Sequence, residues 1–178
     1  TTMNSSIMLL ILLGVPLAAA AVLAFVGDRR FAPEINILGS AATFAAGLGL
    51  ALEVYAQGPM LAGGKFFFVD AFNVYLSVLT SFVSMTTAIF SRRYMRRERE
   101  HGRVGHVGMR FYHAMFQLFI FAMLLCLLTN NVGVLWIAME LATLSTVLLV
   151  SLYRTPTAIE AAWKYFILCG VGIAQALF

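Results

Sequence analysis

Residues 111–152 read FYHAMFQLFIFAMLLCLLTNNVGVLWIAMELATLSTVLLVSL. The stretch holds two apolar runs separated only by the polar break at Thr129, Asn130 and Asn131. Each run is near the ~20 residues a helix needs to cross a bilayer. Neither alternates apolar and polar residues as a membrane β-strand would. In hydrocarbon the backbone must satisfy its own hydrogen bonds, so each run predicts a helix. One carboxylate, Glu140, lies near the middle of the second run.

Working outward, comparable runs occur at about residues 7–26, 35–55, 71–90 and 158–178, flanking the pair at 111–128 and 132–152. The expected fold is an all-α polytopic membrane helix bundle with six transmembrane helices in a single domain. Composition agrees. Of 178 residues, 61% are hydrophobic and 11% charged, and the mean hydropathy is +0.89. A soluble domain of this size has too little interior for so much apolar surface. The net charge of +4 does not mark a nucleic-acid partner, because the basic residues sort by loop.

Ten of the twelve basic residues are Arg29, Arg30, Arg92, Arg93, Arg96, Arg97, Arg99, Arg103, Arg110 and Arg154. They fall in the first, third and fifth connections, whereas the opposite side carries Lys65 alone. The positive-inside rule places the arginine-rich loop 91–110 in the cytoplasm of an inner (cytoplasmic) membrane, with the N-terminus outside. The first run follows the uncharged TTMNSS, so it reads as a retained span, since a signal peptide carries a positive leader. The basic loop could bind anionic lipid or an acidic subunit, but its plainer reading is a solvated topology signal. The last run has no polar flank, which leads us to expect a longer protein.

Cys126 and Cys169 sit singly in apolar runs and read as small buried hydrophobes. His101 and His106 lack a third ligand for a metal site. Ala41, Ala45 and Gly49 recur every fourth residue and predict a close helix contact.

The chemistry-bearing candidates are the charges at bilayer depth. A mid-span carboxyl such as Glu140 is costly unless paired, protonated or wetted, and it can serve as a proton relay. Lys164 lies roughly 9 Å inside its own span, at 1.5 Å per residue. It can snorkel, or turn inward as a switchable partner. Because the fifth and sixth spans run antiparallel, Glu140 and Lys164 should differ in depth by roughly 9 Å. Ser145 and Thr146 stand near the lysine's level, which suggests a wet relay Glu140–water–Ser145/Thr146–Lys164. Glu160, four residues before Lys164, can hold the lysine at the interface. His113 and Gln117 share one face of the fourth span. A relay role is open to the histidine, though an interhelical hydrogen bond is the simpler expectation. Glu53 and Asp70 lie near the outer interface. Trp136 and Trp163 are read as packing or interfacial residues.

Residues 111–178, together with FVDAFNVY (68–75) and SRRYM (91–95) upstream, closely resemble the antiporter-like membrane subunits of respiratory complex I and its relatives. Among these the chain is most similar to the hydrogenase-4 component F type of membrane-bound [NiFe] hydrogenase complexes. The resemblance is strong over roughly residues 66–178, and the first two spans share only hydrophobicity. It implies a protein of about fourteen helices with an external N-terminus, of which this chain is the front part. It also implies a proton-translocating core beginning at about residues 130–178. The family's buried glutamate on the fifth helix matches Glu140, and its lysine on the sixth matches Lys164. Respiratory members usually place Trp before that glutamate. Here it is Met139, which favours the hydrogenase branch.

The resemblance implies an ion-translocating subunit of a redox-driven complex, with no cofactor in this chain. Iron–sulfur clusters and nickel–iron or flavin would belong to partner subunits, both membrane and peripheral. A subunit of a multisubunit cation/proton antiporter and a passive membrane anchor are the rival readings. A carboxyl and hydroxyls serve protons and sodium alike.

Overall fold

A computed structural model describes residues 2–63 and 65–177. Phe178, the end of the predicted sixth span, lies outside them. Six helices follow one another: α1 (Thr2–Val26), α2 (Ala32–Gln57), α3 (Ala71–Glu100), α4 (His106–Leu128), α5 (Val132–Val150) and α6 (Pro156–Leu177). All six are long and apolar enough to cross a membrane. The chain is a multi-pass membrane protein.

α1–α4 form the compact part. α1 packs on α2 and α4, and α2 packs on α3. Their core is built from Leu9, Leu12, Leu50, Val74, Phe116, Ile120 and Leu124. α5 lies on α4, and α6 lies on α5. These last two helices are poorly covered. In α6, Trp163 and Leu168 stand exposed, and Ala162 is its one buried residue among those described.

Start signals explain several boundaries. The Asp70 carboxylate accepts from the Asn73 backbone N–H (2.8 Å), and the Asn73 side chain accepts from that of Asp70 (2.9 Å). This capping box satisfies two of the helix's orphan donors, so Asp70 is structural and more than a solvated charge. Asn131 caps α5 through Val134 N–H.

Two short strands, β1 (Met60–Ala62) and β2 (Phe67–Val69), form an antiparallel hairpin with Leu61 opposite Phe68. Hydropathy alone does not mark this hairpin. Asn130 N–H donates to Phe66 O (2.7 Å), which ties the hairpin to the α4–α5 connection. At the other end of the bundle, Arg99 donates to Asp28 O, and Arg110 donates to Ala24 O. The connections predicted to share a side therefore do meet.

Three expectations need correction. The stretch 91–110 is mostly helical rather than a loop. α3 runs on to Glu100, and α4 starts at His106. Arg, Glu and Met are good helix formers, so the helix outlasts its apolar span. The stripe Ala41–Ala45–Gly49 is not the main contact face of α2, since Ala45 is exposed. The buried face carries Asn36, Ser40, Thr43, Gly47, Leu50 and Val54 instead. Cys126 and Cys169 are only partly buried.

Candidate functional site

Glu140 sits nine residues into α5, roughly 13 Å from the helix start at 1.5 Å per residue. It is half-buried and makes no hydrogen bond or ion pair among the described residues. Ala138, Ala142, Thr143 and Ser145 are the buried residues of α5. At 100° per residue, Glu140 lies about 160° around the helix from Ala138 and Ala142. Buried Thr143, three residues on, is only about 60° from it, so the half-buried carboxyl lies at the margin of the covered side.

The predicted relay residues divide. Lys164 Nζ is paired with Glu160 Oε1, one turn before it on α6. Both side chains are mostly exposed, 70% for the lysine and 63% for the glutamate, so the pair is an interfacial clasp worth a few tenths of a kcal/mol, on the order of 0.5. Ser145 is buried and donates to Leu141 O (2.8 Å), and Thr146 donates to Ala142 O (2.6 Å). Ser145 stands about 140° around α5 from Glu140, five residues at 100° each. No hydrogen bond links Glu140, Ser145, Thr146 and Lys164 to one another among the described residues.

His113 belongs to a different neighbourhood. With Gln117 it faces α2, where the buried Gln117 Nε2 reaches Asn36 O (3.1 Å), Asn36 Oδ1 (2.7 Å) and Ser40 Oγ (3.0 Å). Ser40 Oγ in turn meets Ser84 Oγ of α3 at 3.4 Å. His113 is buried, and neither ring nitrogen has a hydrogen-bond partner among the described residues. Glu34 is near enough to act on it electrostatically, and Glu34 itself pairs with Arg92.

Sequence reading found Gln117 and His113 but missed Asn36, Ser40 and the α3 hydroxyls. The signal was present, because Ser77, Ser81, Ser84 and Ser91 recur at helical spacing and all are buried. Small side chains let α2 and α3 approach closely. A Cβ on Gly47 would stand 3.2 Å from Ser81 Oγ.

Gln117→Leu should destabilise the protein by about 1–2 kcal/mol. It removes the amide donor shared by Asn36 O, Asn36 Oδ1 and Ser40 Oγ, of which Ser40 Oγ keeps Ser84, a loss at the upper end of what membrane hydrogen bonds are worth. Unfolding of the full-length protein in mixed micelles reads the change. A loss under about 0.3 kcal/mol would mean the amide network adds nothing to stability.

No family profile matches the chain. It is 44% identical over 163 residues to the Hydrogenase-4 component F homolog of Methylacidiphilum infernorum (isolate V4), a match covering 92% of this chain. The chain spans about a third of that relative's length, 33%. Over nine-tenths of its length, then, this chain is similar to a hydrogenase-4 component F homolog, and the likeness extends beyond residues 66–178 into the first two spans, where hydrophobicity alone was expected to be shared.

Proposed function

We propose that the chain forms part of a proton-translocating membrane subunit in a redox-driven complex of the hydrogenase-4 or NADH-quinone oxidoreductase type. The single observation that carries this reading is Glu140. It is a half-buried carboxyl in the middle of an apolar span, bonded to no protein group described. A carboxyl that only stapled helices together would be engaged with one of them. A passive anchor has no use for it.

In this reading Glu140 takes up and releases a proton, and water carries it onward. Lys164 and Glu160 offer an exchangeable charge pair near the arginine-rich side. Thr146 lies on the way, and its hydroxyl approaches Tyr165 of α6. Ser145, buried and bonded to Leu141 O, serves through packing, and His113 belongs to the α2 neighbourhood rather than to this relay. Electron transfer, with its iron–sulfur clusters and nickel–iron or flavin, belongs to partner subunits. The arginine-rich side faces the cytoplasm of the inner membrane. The relative's name favours this reading over a subunit of a multisubunit cation/proton antiporter.

The test is proton movement by the whole complex in sealed vesicles. Electron donor should acidify the lumen, sodium should be dispensable, and deleting this subunit should abolish the acidification while the peripheral redox reaction continues. Deletion without effect on acidification would refute the reading.

A further inference from the structure

At the arginine-rich end, a groove of about 700 Å³ lies between the α1–α2 connection and the extension of α3. Arg29, Arg30, Arg92, Arg96 and Arg99 line it. The carboxylates facing them are Glu34 and Glu100, which leaves the lining with a formal excess of three positive charges. Arg92, Arg96 and Arg99 fall at i, i+4 and i+7, so one face of the helical extension presents all three. Arg93 and Arg97 point elsewhere and are absent from the lining.

The cations are unequally engaged. Arg92 pairs with Glu34, and Arg99 is held by Asp28 O and His106. Arg29, Arg30 and Arg96 make no ion pair or side-chain hydrogen bond among the described residues. Three unspent guanidinium groups converge on one recess. Such groups bind phosphate oxygens with paired, directional hydrogen bonds.

The groove also stands at a particular depth. Arg92 immediately follows the apolar part of α3, and Glu34 is in the first turn of α2. Phe31, 70% exposed, is part of the lining. One turn deeper on α2 is Leu38, 68% exposed, and Ile89 of α3 is partly exposed just below Arg92. A cationic recess thus opens onto bare apolar surface leading into the span. An acidic protein segment would use the charge but not that apolar continuation. A phospholipid uses both.

We infer that this groove is a binding site for the phosphate headgroup of an anionic phospholipid, with its acyl chains laid along Leu38 and Ile89. The inference rests on the membrane-spanning fold and is independent of proton transport. The site would add to the Arg99–Asp28 O bond that already ties the α3 extension to the α1–α2 connection.

The test uses the full-length protein in its complex, reconstituted in nanodiscs of equal parts phosphatidylglycerol and phosphatidylcholine. Retained lipids are counted by native mass spectrometry after transfer to mild detergent. The wild type should retain phosphatidylglycerol selectively. The pair R30Q/R96Q should lower that selectivity about thirtyfold, the effect of two interfacial charges. The pair R93Q/R97Q removes the same charge outside the groove and should leave it unchanged. Equal losses from both pairs would overturn the site in favour of diffuse attraction, and so would no loss from R30Q/R96Q. Should that variant not assemble, a photoreactive phosphatidylglycerol added to the wild type must label residues 29–34 or 92–100. Labelling elsewhere, crosslinking of the groove to an acidic subunit, or full displacement by inorganic phosphate would each refute it.

Discussion

Replacing Glu140 by glutamine is expected to stop proton movement while the subunit still inserts and assembles. Glutamine keeps the shape and one carbonyl oxygen, but it cannot take up or release a proton in the accessible range. It is also cheaper than a carboxylate at mid-bilayer, so α5 should tolerate it. We expect the number of protons moved per electron pair to fall towards zero, with the initial pumping rate down by about a hundredfold or more, the scale of losing a proton-transfer group. Glu140→Asp keeps the chemistry but shortens the reach by one methylene, and should restore part of the rate. Lumen acidification and donor oxidation measured together in vesicles read the ratio. An unchanged ratio in Glu140→Gln would leave Glu140 as a structural carboxyl. A failure of assembly in Glu140→Gln but not in Glu140→Asp would say the same.

The sequence showed the spans and hid how they face one another. Helix positions were legible because lipid forces every span to be long, apolar and self-satisfied. Hydropathy averaging, however, erases small polar residues. Asn36, Ser40 and Thr43 vanish within an apolar run, yet they form the buried face of α2. The charges of 91–100 likewise marked the end of a span, and the helix continued regardless. At the candidate site the arithmetic of depth used rise alone. It placed Ser145 beside a path from Glu140 to Lys164. The turn of the helix buries Ser145 and puts Glu140 about 140° away from it. Azimuth depends on which neighbour covers α5, and that is tertiary information a single span does not carry.

The same reasoning predicts opposite outcomes for one substitution made twice at α1. Gly27 follows the last turn, and its N–H donates to Leu23 O at 2.8 Å. A Cβ there would stand 2.4 Å from that same oxygen and 2.8 Å from Arg110 Cα of α4. Both are backbone atoms, so no rotamer change relieves the clash. Arg110 adds a clamp, donating through Nε (3.1 Å) and Nη2 (2.8 Å) to Ala24 O. Gly27→Ala must therefore push α1 and α4 apart, at a cost of about 3 kcal/mol, the upper end of the overpacking range. Gly14 lies inside α1 on an exposed face, where an added Cβ meets nothing within 4 Å. Gly14→Ala should instead stabilise by about 0.5–1 kcal/mol, the helix cost of glycine removed. Unfolding both variants in mixed micelles gives the two signs directly. A neutral Gly27→Ala would mean the two backbones do not touch. The contact matters beyond stability because α4 is the surface on which α5 rests. Loosening α4 shifts the helix that carries Glu140, so Gly27→Ala should also lower the proton-to-electron ratio. Gly14→Ala should leave that ratio alone.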